Sequence, residues 1–344
     1  MKNIFQKIEQ ANLVGRGGAN FSTAAKWEMV KNAKGEKKYV VCNASEGEPG
    51  VRKDRYILEN HAGRVVDGML VALEYLWADE GYLYLNHDYQ DLRRKLDEAI
   101  GEHDFIKVFF KPESAGYIGG EESGCLNVLE GKRAEPRLKP PFPPTCGLWG
   151  QPTLINNVET FYDVSLVKSG EYKYSRFYTI DGDCVWHGVY EYPETATIEE
   201  ILKKTKNYPD FPFFVQVGGA ASGTVLNSKQ LKQPAIGAGS IRIYSTAKRD
   251  PEKIITEWIE FFYRESCGQC TPCREGTYRL KEVLESGEPD WKLFADLLGN
   301  LKESSFCGLG AAAPVAVMSY IENVLSKDKN LSERLKEMVK AVNN

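Results

Sequence analysis

Hydrophobic positions along this chain change their period twice. Up to about Phe161, short apolar runs alternate with longer amphipathic stretches. YVVCNA (residues 39–44) and YLYLN (82–86) are continuous enough to be buried strands, and KVFF (107–110) is a shorter candidate. Between the first two, Ile57, Val65, Val66, Met69, Leu70 and Leu73 recur near helical period, and residues 88–101 repeat the pattern more weakly. Strands alternating with helices predict an α/β layer on a mostly parallel sheet. From residue 162 to about 247, FYTIDG, HGVYEYP, FFVQVGG and IRIYST read as strands, with one threonine-capped helix over 197–206. Several strands with one helix make a small α+β module, most simply a β-grasp. The remainder is all-α, with helices expected over 251–265, 275–286, 290–302, 311–326 and 331–342. Pro251 suits a first helical turn, and Asp290 and Ser332 suit helix caps. The expected domains are therefore 1–161, 162–247 and 248–344.

Composition narrows the function. A chain of 344 residues exceeds one ordinary core, which agrees with the zoning. At net charge −4 there is no basic footprint for nucleic acid, and four histidines leave little room for histidine-based metal or acid–base chemistry. No uninterrupted apolar run has the length of a bilayer span, and the opening MKNIFQKIEQ lacks the apolar core of a secretory signal. The expectation is a cytoplasmic protein with no direct membrane insertion, any membrane association coming through partner subunits.

The cysteines add chemistry. SCGQCTPC places Cys267, Cys270 and Cys273 in two successive C-x-x-C steps, and SSFCGLG supplies Cys307 as a fourth ligand. Four soft thiolates suit a tetrahedral zinc or an iron–sulfur cluster. Zinc ribbons usually present two separated C-x-x-C pairs, so three clustered cysteines and a distant fourth favour the iron–sulfur alternative. Buried spare thiols are the third reading. Cys42, Cys125, Cys146 and Cys184 share no spacing and are expected to be core thiols.

Three further segments read as candidate sites. GRGGANFSTAAKW puts Gly15, Gly17 and Gly18 before a segment able to start a helix. Glycines admit a bulky anion, and Arg16 and Lys26 add charge suited to a phosphate; a flexible turn is the alternative. CNASEGEPGVRKDR follows a buried strand directly, where α/β sheets collect ligands. Its Asn43, Ser45, Glu46 and Glu48 can hold hydroxyls and a carboxamide, or the loop is simply solvated charge. GYIGGEESGCLNVLEGKRAEPRLKPPFPP places Gly119 and Gly120 before the paired acids Glu121 and Glu122, then projects Lys139 and Phe142 from a proline-stiffened run. Two carboxylates around one ligand would raise each other's proton affinity. First-turn acids also serve as plain dipole complements.

In this order, and with INNVET, ESCGQCTPCREGT and FCGLG after them, these segments resemble the NADH-binding flavoprotein subunit of respiratory complex I (the F subunit of NADH-quinone oxidoreductase) and its relatives in NAD-reducing hydrogenases and formate dehydrogenases. The likeness runs roughly from Ala11 to Leu325. It implies a Rossmann-like FMN domain, a β-grasp domain of SLBB type and a four-helix bundle with one [4Fe–4S] cluster. It further implies that Gly15, Arg16, Gly17, Lys26 and Asn43 hold FMN, with Tyr117, Gly120, Glu121, Asn156 and Asn157. Gly18 and Ser45 lie in the same two loops and join that set. Glu48 and Glu122, with Phe21, Lys139 and Phe142, would meet the nicotinamide nucleotide, and Cys267, Cys270, Cys273 and Cys307 would ligate the cluster. The implied activity is hydride transfer from NADH to FMN, then single electrons through the cluster to iron–sulfur partner subunits. Ser45 stands where the family usually has aspartate, Met29 where it commonly has an aromatic, and Asn20 and Ser22 replace its glycine and proline. An electron-relay subunit with a weakened nicotinamide site is the alternative function.

Overall fold

The computed structural model describes residues 2–343; residues 1 and 344, the outermost positions of the expected zones, lie outside the described residues. Helices α1 (Lys2–Gln10) and α2 (Thr23–Asn32) precede strand β1 (Tyr39–Ala44), which is apolar except at Asn43. There follow α3 (Lys53–Leu76), β2 (Glu80–Leu85), α4 (Arg93–Ile100), β3 (Ile106–Phe110), α5 (Glu122–Leu129), β4 (Thr153–Asn157) and α6 (Val158–Ser169). The four strands form one parallel sheet in the order β3-β2-β1-β4. Near-continuous apolar runs in β1 and β2 match a sheet covered on both faces. Helices α3 and α6 pack closely because Gly68 has no side chain, and a methyl added there would lie 1.9 Å from the Phe161 carbonyl oxygen.

Two of these elements escape the hydrophobic pattern. TLINN in β4 is too short and too polar at its end to read as a strand. Helix α6 is buried on nearly every face, so it shows little helical period. It runs without a break through residues 161 and 162.

The later strands are β5 (Ser175–Gly182), β6 (Gly188–Pro193), β7 (Phe213–Val217), β8 (Thr224–Asn227) and β9 (Ser240–Ser245), with α7 (Ile198–Lys204) inserted after β6. They form a mixed sheet ordered β6-β5-β9-β7-β8, with β5 parallel to β9 and β7 antiparallel to both neighbours. Thr197 and Glu200 close a reciprocal capping box on α7. The end of the chain is helical: α8 (Pro251–Glu265), α9 (Thr271–Glu285), α10 (Trp291–Ser304), α11 (Gly308–Asn323) and α12 (Glu333–Asn343). Helices α8, α9, α10 and α11 pack in a ring, and α12 lies on α10 and α11. Asp250 and Asp290 cap α8 and α10 as side-chain acceptors. Helix α11 is stitched to β8. Ser319 Oγ accepts the Val225 amide at 2.9 Å, Asn323 Nδ2 donates to the Val225 carbonyl at 2.9 Å, and Asn227 Nδ2 donates to the Asn323 carbonyl at 2.8 Å.

The chain divides into two compact units, one of residues 1–47, 52–177 and 191–194, the other of 48–51, 178–190 and 195–344. The expectation that no segment has the length and apolarity of a membrane span is corrected at one place. Among the described residues, Gly308–Lys327 meets both criteria with mean hydropathy 1.2, and 56% of it is buried within the protein. Its apolarity serves the helical core through Leu309, Ala313, Ala316, Val317 and Ile321.

Candidate functional site

In the first unit, four segments meet at the carboxyl ends of the parallel strands, where open α/β sheets take ligands. The glycine loop is a tight hairpin tip closed by a bridge between Val14 and Ser22, with the Gly15 amide donating to the Phe21 carbonyl at 2.8 Å. Gly18 adopts φ +112°, a conformation that favours glycine. Gly17 lies against Asn157, 3.4 Å from a methyl built on it to Asn157 Cβ. The loop after β1 meets the 117–120 turn twice. A methyl on Gly47 would fall 2.9 Å from the Tyr117 ring, and one on Gly120 would fall 3.0 Å from Ser45 Oγ. Asn43 Nδ2 donates to the Gly120 carbonyl at 2.9 Å. The cradle exists because these glycines leave their faces bare.

The charges around it are arranged differently from the expectation. Glu121 turns back to cap α5: one carboxylate oxygen accepts the amides of Ser123 at 2.8 Å and Gly124 at 2.9 Å. Its other oxygen takes Lys139 Nζ at 2.6 Å. Glu122 is bracketed by two cations, Lys26 Nζ at 3.3 Å and Lys139 Nζ at 3.1 Å. Burial works to raise the Glu122 carboxyl, but the two ammonium groups outweigh it and hold the group below its ordinary value. Mutual elevation of the acid pair therefore does not occur at Glu122. Lys139 is raised, the carboxylates of Glu121 and Glu122 overcoming the effect of its burial. Phe21 and Phe142 stand open to solvent at 45% and 54% exposure, and Lys26 Nζ lies 6.0 Å from the Phe21 ring centre.

Arg16 is the clearest departure from the reading of its charge. Its side chain is 1% exposed and turns inward, donating to Asp163 at 2.9 Å, to the Tyr172 hydroxyl at 2.7 Å and to Glu194. Its amide donates to Thr160 Oγ1 at 3.0 Å. Despite burial, these anions raise its proton affinity. The guanidinium thus anchors the loop from beneath and has no charge left over for a phosphate. Among the described residues no acceptor takes the amides of Gly17 and Gly18. The α2 amino terminus is already capped by Ser22, whose Oγ accepts the Ala25 amide at 3.3 Å.

Charged residues that read as a solvated loop are the buried floor of this site. Lys53 Nζ contacts Asp54 Oδ1 at 2.6 Å, Asn157 Oδ1 at 3.0 Å and Glu159 Oε2 at 3.1 Å. Asn157 Nδ2 donates to Asp54 Oδ2 at 2.6 Å. Glu46 accepts the amides of Asp54 at 2.7 Å and Arg55 at 3.0 Å, so it caps α3 from seven residues upstream. Burial pushes its carboxyl up to about 7, helped by Asp54. Ser45 is buried and accepts from Lys111 Nζ at 2.9 Å. With its amide turned to satisfy both partners, Asn156 accepts from Trp27 Nε1 at 3.1 Å and donates to the Ile155 carbonyl at 2.9 Å. No sequence signal marks Lys53, Asp54, Lys111 or Glu159, since charged side chains ordinarily predict exposure. Glu48 belongs to the second unit, where its carboxylate accepts the Ala221 amide at 3.1 Å and the Ser222 hydroxyl.

The four expected ligand cysteines also lie in the second unit. Cys270 stands at the amino terminus of α9 and Cys307 at that of α11, where helix dipoles favour thiolate. Cys273 is buried in the first turn of α9, so this helix begins before the expected residue 275; Pro272 fits that first turn. Burial pushes the Cys273 thiol up to about 11; the Ser266 hydroxyl opposes this, while Cys270, Cys307 and Cys267 add to it. All eight cysteines are free thiols; of the four expected in the core, Cys42 and Cys125 are buried and Cys146 and Cys184 partly exposed. Among the described residues no three Cys, His, Asp or Glu side chains close tightly enough to chelate one ion.

Two family models match this chain. Residues 8–166 match the family described as the Nuo51 FMN-binding domain, and residues 253–326 match the NADH-ubiquinone oxidoreductase-F iron-sulfur binding region. The F subunit of NADH-quinone oxidoreductase from Aquifex aeolicus is 32% identical over 93% of this chain and 84% of its own length. The NAD-reducing hydrogenase HoxS subunit alpha of Cupriavidus necator is 33% identical over 93% of this chain, which spans 59% of that subunit. A crystal structure of an NAD+-reducing [NiFe]-hydrogenase in the H2-reduced state superposes with TM-score 0.87 at 30% identity, covering 97% of this chain and 62% of that one.

Proposed function

Because this chain belongs to the family of NADH-quinone oxidoreductase F subunits, we propose that it oxidises NADH as the flavoprotein subunit of a larger redox assembly. When bound, FMN supplies hydride acceptance and single-electron release, and a [4Fe–4S] cluster supplies onward one-electron transfer. The residues present fit both groups. The bare amides of Gly17 and Gly18 suit the flavin phosphate, and Asn43, Tyr117, Gly120 and Asn157 border the same cradle. Arg16 holds the loop in that shape from below. Glu122 stays ionised between Lys26 and Lys139 and so offers a carboxylate to nucleotide hydroxyls, while Phe21 and Phe142 offer open rings to a base. Hydride transfer needs no strong acid or base, and these side chains orient rather than protonate. Cys267, Cys270, Cys273 and Cys307 are the proposed cluster ligands.

The finer assignments belong to the same proposal. The five-stranded sheet with α7 is read as the SLBB-type β-grasp, and the α8–α11 ring as the cluster-binding bundle. Partners are iron–sulfur subunits, with the chain working in the cytoplasm and meeting a membrane only through them. The observation that carries the reading is one chain holding an open glycine cradle within its flavin-domain match and all four proposed ligand cysteines within its iron–sulfur match. The test is anaerobic mixing of the FMN- and cluster-loaded chain with NADH. Prompt loss of the flavin absorption band is expected. Demonstrably bound flavin that stays oxidised at high NADH would favour the relay alternative, to which Ser45 and the half-exposed Met29 lend support.

A further inference from the structure

Two serines flank the cysteine set, and the reading above uses neither. Ser305 closes α10, two residues before Cys307. Its hydroxyl is buried, and among the described residues no polar atom hydrogen-bonds to it. A buried hydroxyl without a partner is costly, so a retained one points to an acceptor that the chain does not itself supply. Gly310, in the first turn of α11, fixes where that acceptor would be. A methyl on Gly310 would lie 2.4 Å from Ser305 Oγ and 3.1 Å from Cys273 Cβ. Glycine therefore lets the Ser305 hydroxyl and Cys273 share one small space beside the start of the helix that follows Cys307.

Ser266 approaches the same cysteine from the end of α8. Its Oγ accepts from the Cys273 thiol at 3.3 Å and from the Gly268 amide at 3.3 Å. With one lone pair committed to that amide, its proton is directed to the sulfur once Cys273 is a thiolate. Neither hydroxyl is a ligand, and both converge on the ligand that is most buried.

We propose that Ser266 and Ser305 donate O–H hydrogen bonds to sulfur of the cluster bound by the four cysteines, Ser266 to the Cys273 thiolate and Ser305 to sulfur beside it, and that they raise the cluster's reduction potential. The reduced cluster carries one more negative charge, spread over its sulfurs. A donor therefore stabilises the reduced form more than the oxidised one. Both serines act as tuning residues through the cluster's electrostatics. The proposal rests on the cluster reading above.

The test is a mediated redox titration of the full chain, followed by the paramagnetic resonance of the reduced cluster, with chemical reductant and no NADH. Ser305→Ala and Ser266→Ala should each shift the balance toward the oxidised form by about three- to tenfold, the upper end being about 59 mV for a one-electron couple. Ser305→Thr, which keeps the hydroxyl, should stay within about twofold of the parent. Both alanine variants holding full cluster at the parent potential would overturn the proposal, as would a threonine variant that shifts as far as the alanine one. Should Ser305→Ala lose its cluster, retention by Ser305→Thr would still support the hydroxyl's role. Loss from both would assign position 305 to packing and end the idea. A parent chain that binds no cluster overturns the underlying reading instead, so the two failures are told apart.

Discussion

Glu122 shows how one side chain's setting alters its chemistry. Placed beside another acid it would resist ionising, yet two ammonium groups within 3.3 Å hold it charged. Glu122→Gln should cost about 1 kcal/mol at pH 7, a figure suited to a partly exposed pair. The sign with pH follows from the depressed carboxyl: its contribution is present above the ordinary value of 4.5 and lost as pH falls through the lower folded value. Denaturant unfolding of parent and variant should therefore converge in acid, and a gap that persists at low pH would remove the ion pair as its source. Arg16 poses the opposite case, a cation used wholly inside. Arg16→Met leaves Asp163 and Glu194 facing no guanidinium, with an expected loss of about 3–5 kcal/mol. FMN fluorescence titration should show weaker binding as the hairpin tip loosens; full affinity in a folded variant would contradict its anchoring role.

At the level of elements, close approach and helix ends decide most of what matters. Gly68→Ala sets a methyl against the Phe161 carbonyl, and the helix pair must part. An expected loss of about 1–3 kcal/mol is the usual cost of overpacking, and urea unfolding would measure it. Cys270→Ser removes a proposed thiolate ligand at the start of α9 and should abolish the cluster's visible absorption while FMN stays bound. Retention of the full absorption would break the ligand set. What the sequence revealed of these elements follows from exposure. Helix α8 runs over 251–265 as expected, because it is amphipathic and carries an Asp cap and an early proline. Helix α6 and strand β8 were hidden, one buried all round and the other only four residues long. A helix was expected only from residue 275, yet Cys273 already lies inside one, since ligand spacing and a first helical turn look alike in one dimension.

Across the whole chain, function was easier to read than the means of support. Long motifs with few alternatives, such as ESCGQCTPCREGT and GYIGGEESG, carry the family likeness in the sequence itself. Buried charge was illegible, because Lys53, Asp54, Lys111 and Glu159 pair with residues up to 106 positions away, as between Lys53 and Glu159. The direction of Arg16 was equally hidden, since its partners Asp163, Tyr172 and Glu194 lie far along the chain. Motifs name what touches a ligand, and long-range pairing decides which of those atoms are spare.

The stitching of α11 onto β8 carries a practical corollary. Strand and helix share the Val225 amide and carbonyl through Ser319 and Asn323, so fraying of that sheet edge tugs at the helix opened by Cys307. Iron leaving the protein would then serve as a colour gauge for a strand that never meets the metal, and freeing Val225 with Ser319→Ala should make the brown colour fade at a lower temperature.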